Sequence, residues 1–211
     1  MDPENRNRKI EEHRAAIRAL EAEGASGTTA RRWPPSGFYP MWHLVIGTMF
    51  GTLGAVVSLL ANVLGAPLFG RHPLELIRVY LTFPMGERAL TLDDGTLLLI
   101  GCVLYLVTGA LYGILIHFVL EVFFPGASRR RIWQVAAAIG LALWVVNFYL
   151  ILSWLQPLLL GGNWIVRLVP PWVGALTHLA FAGTVAVAET LGWGRFEPYE
   201  RSVPSEGAPT K

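Results

Sequence analysis

Residues 96–124 read TLLLIGCVLYLVTGALYGILIHFVLEVFF, and His117 and Glu121 are the only acidic, basic or imidazole side chains in the run. The run is longer than the ~20 residues that cross a bilayer core at ~1.5 Å per residue. A buried helix of a soluble domain is rarely so long and so apolar on every face, so the stretch reads as a transmembrane helix. Similar apolar runs occupy 41–64, 132–155 and 170–191. Together they predict an all-α membrane protein whose four-helix transmembrane domain covers 41–194. That domain follows a hydrophilic segment, 1–40, and precedes a polar tail, 195–211.

Composition agrees. Hydrophobic residues make up 53% of the 211-residue chain and charged residues only 15%, outside the ordinary soluble range. A net charge of +2 is too small to suggest nucleic acid as a partner, and the basic residues cluster beside the apolar runs, where topology explains them. Cys102 is the single cysteine. It has no disulfide or thiolate partner and reads as a small packing residue.

Within the hydrophilic segment, Met1 to Gly24 reads as an amphipathic helix with Asp2 as N-cap and Pro3 in its first turn. Ile10, His13, Ile17 and Leu20 share one face of it. A Gly-, Ser- and Pro-rich linker follows, whose Trp33, Phe38 and Tyr39 suit a headgroup-level anchor. The hydrophilic start does not read as a signal peptide. The tail, with Pro198, Pro204 and Pro209, is expected to be disordered.

Orientation follows from the distribution of Lys and Arg. Seven precede the first span, three lie in the first loop (Arg71, Arg78, Arg88), three in the second (Arg129, Arg130, Arg131), one in the third (Arg167) and three in the tail. Placing both termini inside puts thirteen on the cytoplasmic side and four outside, so the positive-inside rule selects N-in, C-in for a multi-pass membrane protein. In the long first loop, Pro73 to Phe83 is too short to span and reads as an amphipathic helix lying in the outer interface, ended by Pro84. Asp93 and Asp94 are placed to cap the second span.

Three groups of residues stand out inside the spans. Gly47 and Gly51, and Gly109 and Gly113, are small-xxx-small pairs that let helix backbones approach closely. Ser58, Asn62, Tyr105, Thr108, Asn147 and His178 fall in the outer half, either as interhelical glue or around a small polar cavity beneath the loop helix. Nearer the cytoplasm, His117 and Glu121 share a helix face one turn apart, with His43 and Glu189 on the same side of the membrane. An imidazole beside a carboxylate suits a proton relay or quinone site. By residue counting, His43 and His117 differ in depth by about two turns and His178 lies farther still, which argues against haem held by two histidines. Zinc, phosphate-loop, nucleophile-elbow and dinucleotide motifs are missing. No metal and no cofactor is expected, with haem or quinone the groups that would fit if one were bound.

The segments LIRVYLTFPMGERAL and WPPSGFYPMWHL, together with the four-span layout, resemble a group of uncharacterised bacterial membrane proteins that accompany respiratory oxidase components. The resemblance implies a subunit with no defined active site. The reading is therefore a non-catalytic accessory or assembly subunit, its partners the lipid bilayer and other membrane subunits of a respiratory oxidase-type complex. The alternatives are a quinone- or proton-handling redox protein using His117 and Glu121, and a small transporter or channel component built on the outer polar cluster.

Overall fold

The computed structural model describes residues 9–19 and 38–193, and every regular element among them is a helix. Residues 9–19 form α1, exposed along its length, with Arg14 and Glu11 paired at 3.4 Å. The remainder of the expected N-terminal helix, the linker as far as 37 and the tail from 194 lie outside the described residues, while 38–40, expected in the linker, form the first turn of a helix, where a proline is tolerated. The chain divides into two compact units between Trp42 and His43, and the bundle belongs to the second.

Four helices are long and apolar enough to cross a membrane: α2 (Phe38–Gly65), α4 (Gly95–Phe123), α5 (Arg129–Leu160) and α7 (Pro171–Leu191). Two shorter ones, α3 (Glu75–Met85) and α6 (Trp164–Leu168), lie in the connections at one end. Local chemistry sets the boundaries. Asp94 accepts hydrogen bonds from the N–H groups of Thr96 and Leu97, satisfying orphan donors at the start of α4. Its neighbour Asp93 pairs instead with Arg78 at 3.2 Å. Gly86, at φ 69°, ends α3, and that helix runs through Pro84 rather than stopping at it. In α5, a seven-residue π-helical segment, Val146–Leu152, widens the helix at the level of Asn147.

Glycines carry the closest helix contacts. A Cβ on Gly51 would lie 2.7 Å from the Cα of Gly113, and one on Gly47 the same distance from the Cα of Ile114, so α2 and α4 pack backbone against backbone. The small-xxx-small pairs of these two helices are thus spent on each other. On the other side of the bundle, Gly140 of α5 lies against Ala182 of α7, and Gly174 of α7 against Trp144 and Phe148 of α5. In lipid, where apolar burial between helices gains little over contact with acyl chains, such close approach is a main source of cohesion.

The loop helix α3 does not merely lie on the bundle. Ile77, Val79, Leu81 and Thr82 are all essentially buried, so both sides of the helix are covered. Ile77 and Leu81 meet Gly101 and Leu98 of α4, while Val79 packs with Phe148, Ile165 and Val169. The helix is a plug wedged into one end of the bundle. Gln156, wholly buried, fastens it: its amide donates to Thr82 Oγ1 at 2.9 Å and accepts from the Ile165 N–H at 3.1 Å.

A Gly113→Leu variant forces α2 and α4 apart and is expected to lose about 1–3 kcal/mol or more. The loss should appear as a lowered unfolding midpoint in detergent, with Leu115→Ala, a lipid-facing change, leaving the midpoint near that of the unaltered protein.

Candidate functional site

Two polar systems lie at opposite ends of the bundle, separated by an apolar layer. The first joins α2, α4 and α7. His117, 1% exposed, sends Nδ1 to Glu189 Oε1 at 2.5 Å and Nε2 to His43 Nδ1 at 3.1 Å. His43 is half-buried and Glu189 buried. Phe50 meets the His117 ring edge to face at 5.8 Å, closing the site on the bundle side. Both ring nitrogens of His117 are therefore answered by protein groups, as a buried imidazole requires.

The tautomers follow from this pattern. With Glu189 ionised, His117 Nδ1–H donates to it, and His117 Nε2 accepts from His43 Nδ1–H. A proton arriving on His43 Nε2 can then be passed on. His43 releases its Nδ1 proton to His117 Nε2, and His117 releases its Nδ1 proton to the Glu189 carboxylate. One proton enters, one carboxylate is neutralised, and no atom moves by more than a bond length.

Of the residues singled out in the sequence, His117, His43 and Glu189 are brought into this array. The expected depth difference between the two histidines is corrected. Helix α2 begins at Phe38, ahead of its expected start at 41, and α4 ends at Phe123, one residue short of its expected end, placing His43 five residues inside α2 and His117 six residues inside α4, ~8 and ~9 Å at ~1.5 Å per residue. Glu121, expected as the carboxylate partner, is exposed, and the hydrogen bond goes to Glu189. Glu121 stays close, since one ligand atom from each of His117, Glu121 and Glu189 falls within 4.8 Å of the others. That donor set is of a kind divalent metals use, although a metal on His117 Nδ1 would displace its bond to Glu189.

The second system lies under α3. Each outer residue named from the sequence is engaged there. Tyr105 bonds to Ser58 at 3.0 Å, and Asn62 Nδ2 donates to Thr177 Oγ1 at 3.1 Å. Thr108 bonds to Tyr80 at 2.6 Å. Tyr112 O–H donates to Asn147 Oδ1 at 2.8 Å, and Asn147 Nδ2 approaches His178 Nε2 at 3.4 Å. His178 Nδ1–H, donating to Gly174 O at 2.8 Å, leaves Nε2 as the acceptor that Asn147 needs. Except for Asn62, these groups line a cavity of about 490 Å³ roofed by Leu76, Val79, Tyr80 and Phe83 of α3, a volume in the usual range for small-molecule sites. Sequence reasoning missed Tyr80, Tyr112, Thr177 and Gln156. Tyr112 was findable, one turn beyond Thr108 on the same face.

Between the two systems, Phe181 and Val185 fill the turns of α7 that separate His178 from Glu189, with Phe50 and Ile116 beside them, all buried. No protein-family model, curated protein or solved structure matches the chain.

Replacing Glu189 by alanine leaves the buried His117 Nδ1 without its partner. The expected cost is about 1–3 kcal/mol, read as a lowered unfolding midpoint, with Glu189→Gln, which keeps an acceptor, losing less. An alanine variant as stable as the unaltered protein would show that the bond is not made.

Proposed function

We propose that this membrane protein handles protons, with Glu189, His117 and His43 as the proton-carrying groups at one face of the bilayer. The observation that carries the reading is the buried carboxylate–imidazole–imidazole array. Ionisable groups are costly at this depth unless partnered, and chains of Glu and His inside membrane bundles serve proton transfer. Exposed Glu121, close to Glu189 and His117, offers a group through which the array reaches water. The Tyr112–Asn147–His178 chain supplies polar groups toward the other face. The Phe50, Ile116, Phe181 and Val185 layer between them is suited to a gate that conducts only when wetted.

In this reading the array is assigned to the cytoplasmic side, with α3 outside and both termini in, a choice supported by the distribution of Lys and Arg. A second reading, an accessory subunit of a larger respiratory-type complex, rests on different observations. Only 22% of the most apolar window of α4 and 17% of that of α5 is buried, against 39% in α2. The glycine pairs are already used inside the bundle, so a partner subunit would dock on those apolar faces.

Two experiments test these readings. Proteoliposomes carrying an internal pH dye and a potassium-diffusion potential should take up protons faster than empty vesicles. Glu189→Gln should bring the rate down to the vesicle background while leaving the protein folded. Uptake no faster than in empty vesicles, or unchanged in the variant, would end the proton reading; migration as a lone monomer in mild detergent would end the subunit reading. For orientation, in a Cys102→Ala background, an impermeant maleimide should label Glu87→Cys in intact cells but reach Ala127→Cys only after permeabilisation. The reverse pattern would overturn the assigned topology.

A further inference from the structure

The cavity under α3 has a neighbour on the flank of the bundle. A second hollow of about 710 Å³ lies between the end of α2 and the start of α7, lined by Ala61, Trp172 and Leu176 among others. Leu76, Val79, Val169 and Thr177 line both spaces, so the two share one wall. The flank side is strongly apolar and turned outward, with Trp172 at 52% and Leu176 at 56% exposure. In a bilayer this surface faces acyl chains. The two charges beside it, Arg71 and Glu75, pair with each other and leave no unanswered charge at its rim.

The inner cavity restricts what can sit in it. Its lining contains no Lys, Arg, Asp or Glu, so an ionic head would be desolvated without a counter-charge, at heavy cost. The internal hydrogen bonds then define what remains on offer. Ser58 Oγ donates to Ala55 O and so accepts from Tyr105 O–H. Thr108 Oγ1 donates to Leu104 O and so accepts from Tyr80 O–H. Tyr112 O–H is spent on Asn147. Three phenol oxygens therefore keep lone pairs but no proton, and Asn147 keeps one amide N–H. A molecule that satisfies them must itself donate, and have an oxygen to accept the amide proton. A hydroxyl does both.

We infer that the cavity under α3 binds a neutral, hydroxyl-bearing lipophilic molecule that reaches it from the bilayer between α2 and α7. Its hydroxyl head sits among Tyr80, Tyr105, Tyr112 and Asn147, and its apolar tail runs past Thr177 into the flank hollow. This does not depend on the proton reading, since neither the array at His117 nor any flux enters the argument.

The test uses the full chain in phosphatidylcholine nanodiscs and a long-chain primary alcohol bearing a diazirine and an alkyne. Crosslinks should saturate, map to Tyr80, Tyr105, Thr108, Tyr112, Asn147 and His178, and be competed by the unlabelled alcohol. The same chain ending in a sulfonate or a methyl group should compete about tenfold less well, and Asn147→Leu should weaken binding about fivefold, one hydrogen bond's worth. Ala61→Trp, at an exposed position, fills the flank hollow and should abolish the cavity crosslinks while crosslinks at lipid-facing Leu111 and Leu115 persist. Labelling that never saturates, that is confined to lipid-facing positions, or that the sulfonate competes equally would overturn the inference.

Discussion

The backbone contact between α2 and α4 at Gly51 and Gly113 is the constraint on which the two polar systems depend. The helices run antiparallel, so one register relates every pair along their seam. Gly47 meets Ile114, Gly51 meets Gly109 and Gly113, and Ala55 meets Gly109. Continuing that register one way brings Ser58 to Tyr105, and the other way brings His43 to His117. A side chain at Gly51 or Gly113 would push the axes apart, and hydrogen bonds of about 3 Å at both ends of the seam would stretch together. Close packing in the middle thus positions polar chemistry at either end. In a bilayer this is an efficient arrangement, because small-residue contacts must supply the cohesion that apolar burial provides in water.

The α5–α7 seam works by a different balance. Gly140 and Gly174 again permit approach, yet they are met by side chains, Ala182 at one and Trp144 with Phe148 at the other. Residues 129–145 of α5 keep close backbone contact with α7, and the contact falls away at the π-helical segment that carries Asn147. The space under α3 opens at that level, between Asn147, His178, Ser58 and Tyr105. Helix α3 then roofs that space.

The four spans were legible because a 3.6-residue helix that must satisfy its own backbone in lipid leaves an unmistakable apolar run. The partners within them were much less so. Apolar content alone puts His43 too shallow, because its helix starts at Phe38, three residues before the apolar run, while the end of α4 at Phe123 differs from expectation by a single residue. Glu121 was preferred over Glu189 because i,i+4 spacing is visible in one segment, whereas the α4–α7 contact that brings Glu189 to His117 is a property of the assembled bundle. The plug helix misled for a related reason. Leu74, Ile77 and Leu81 give it one clear apolar stripe, and Val79 and Thr82 are too few to announce a second buried side. Gln156 fell beyond the expected end of its span, at 155, and so was never weighed, although burial without exposure makes it the most constrained amide among the described residues.

What separates the two polar systems matters as much as what builds them. Phe181 and Val185 take the same face of α7 as His178 and Glu189, so the helix alternates imidazole, apolar, apolar, carboxylate along a single line. A bundle selected only for interhelical glue has no need to concentrate its hydrogen bonds at two levels and leave the level between them dry. Spread along the seams, the same groups would hold the helices equally well, at about 0.6 kcal/mol per bond. Gathered at two levels, they put an array rich in exchangeable protons at one end and an uncharged, hydrogen-bonding cavity at the other. The buried side chains of Phe50, Ile116, Phe181 and Val185 offer no hydrogen-bonding group between the two levels, so neither set of hydrogen bonds runs on into the other.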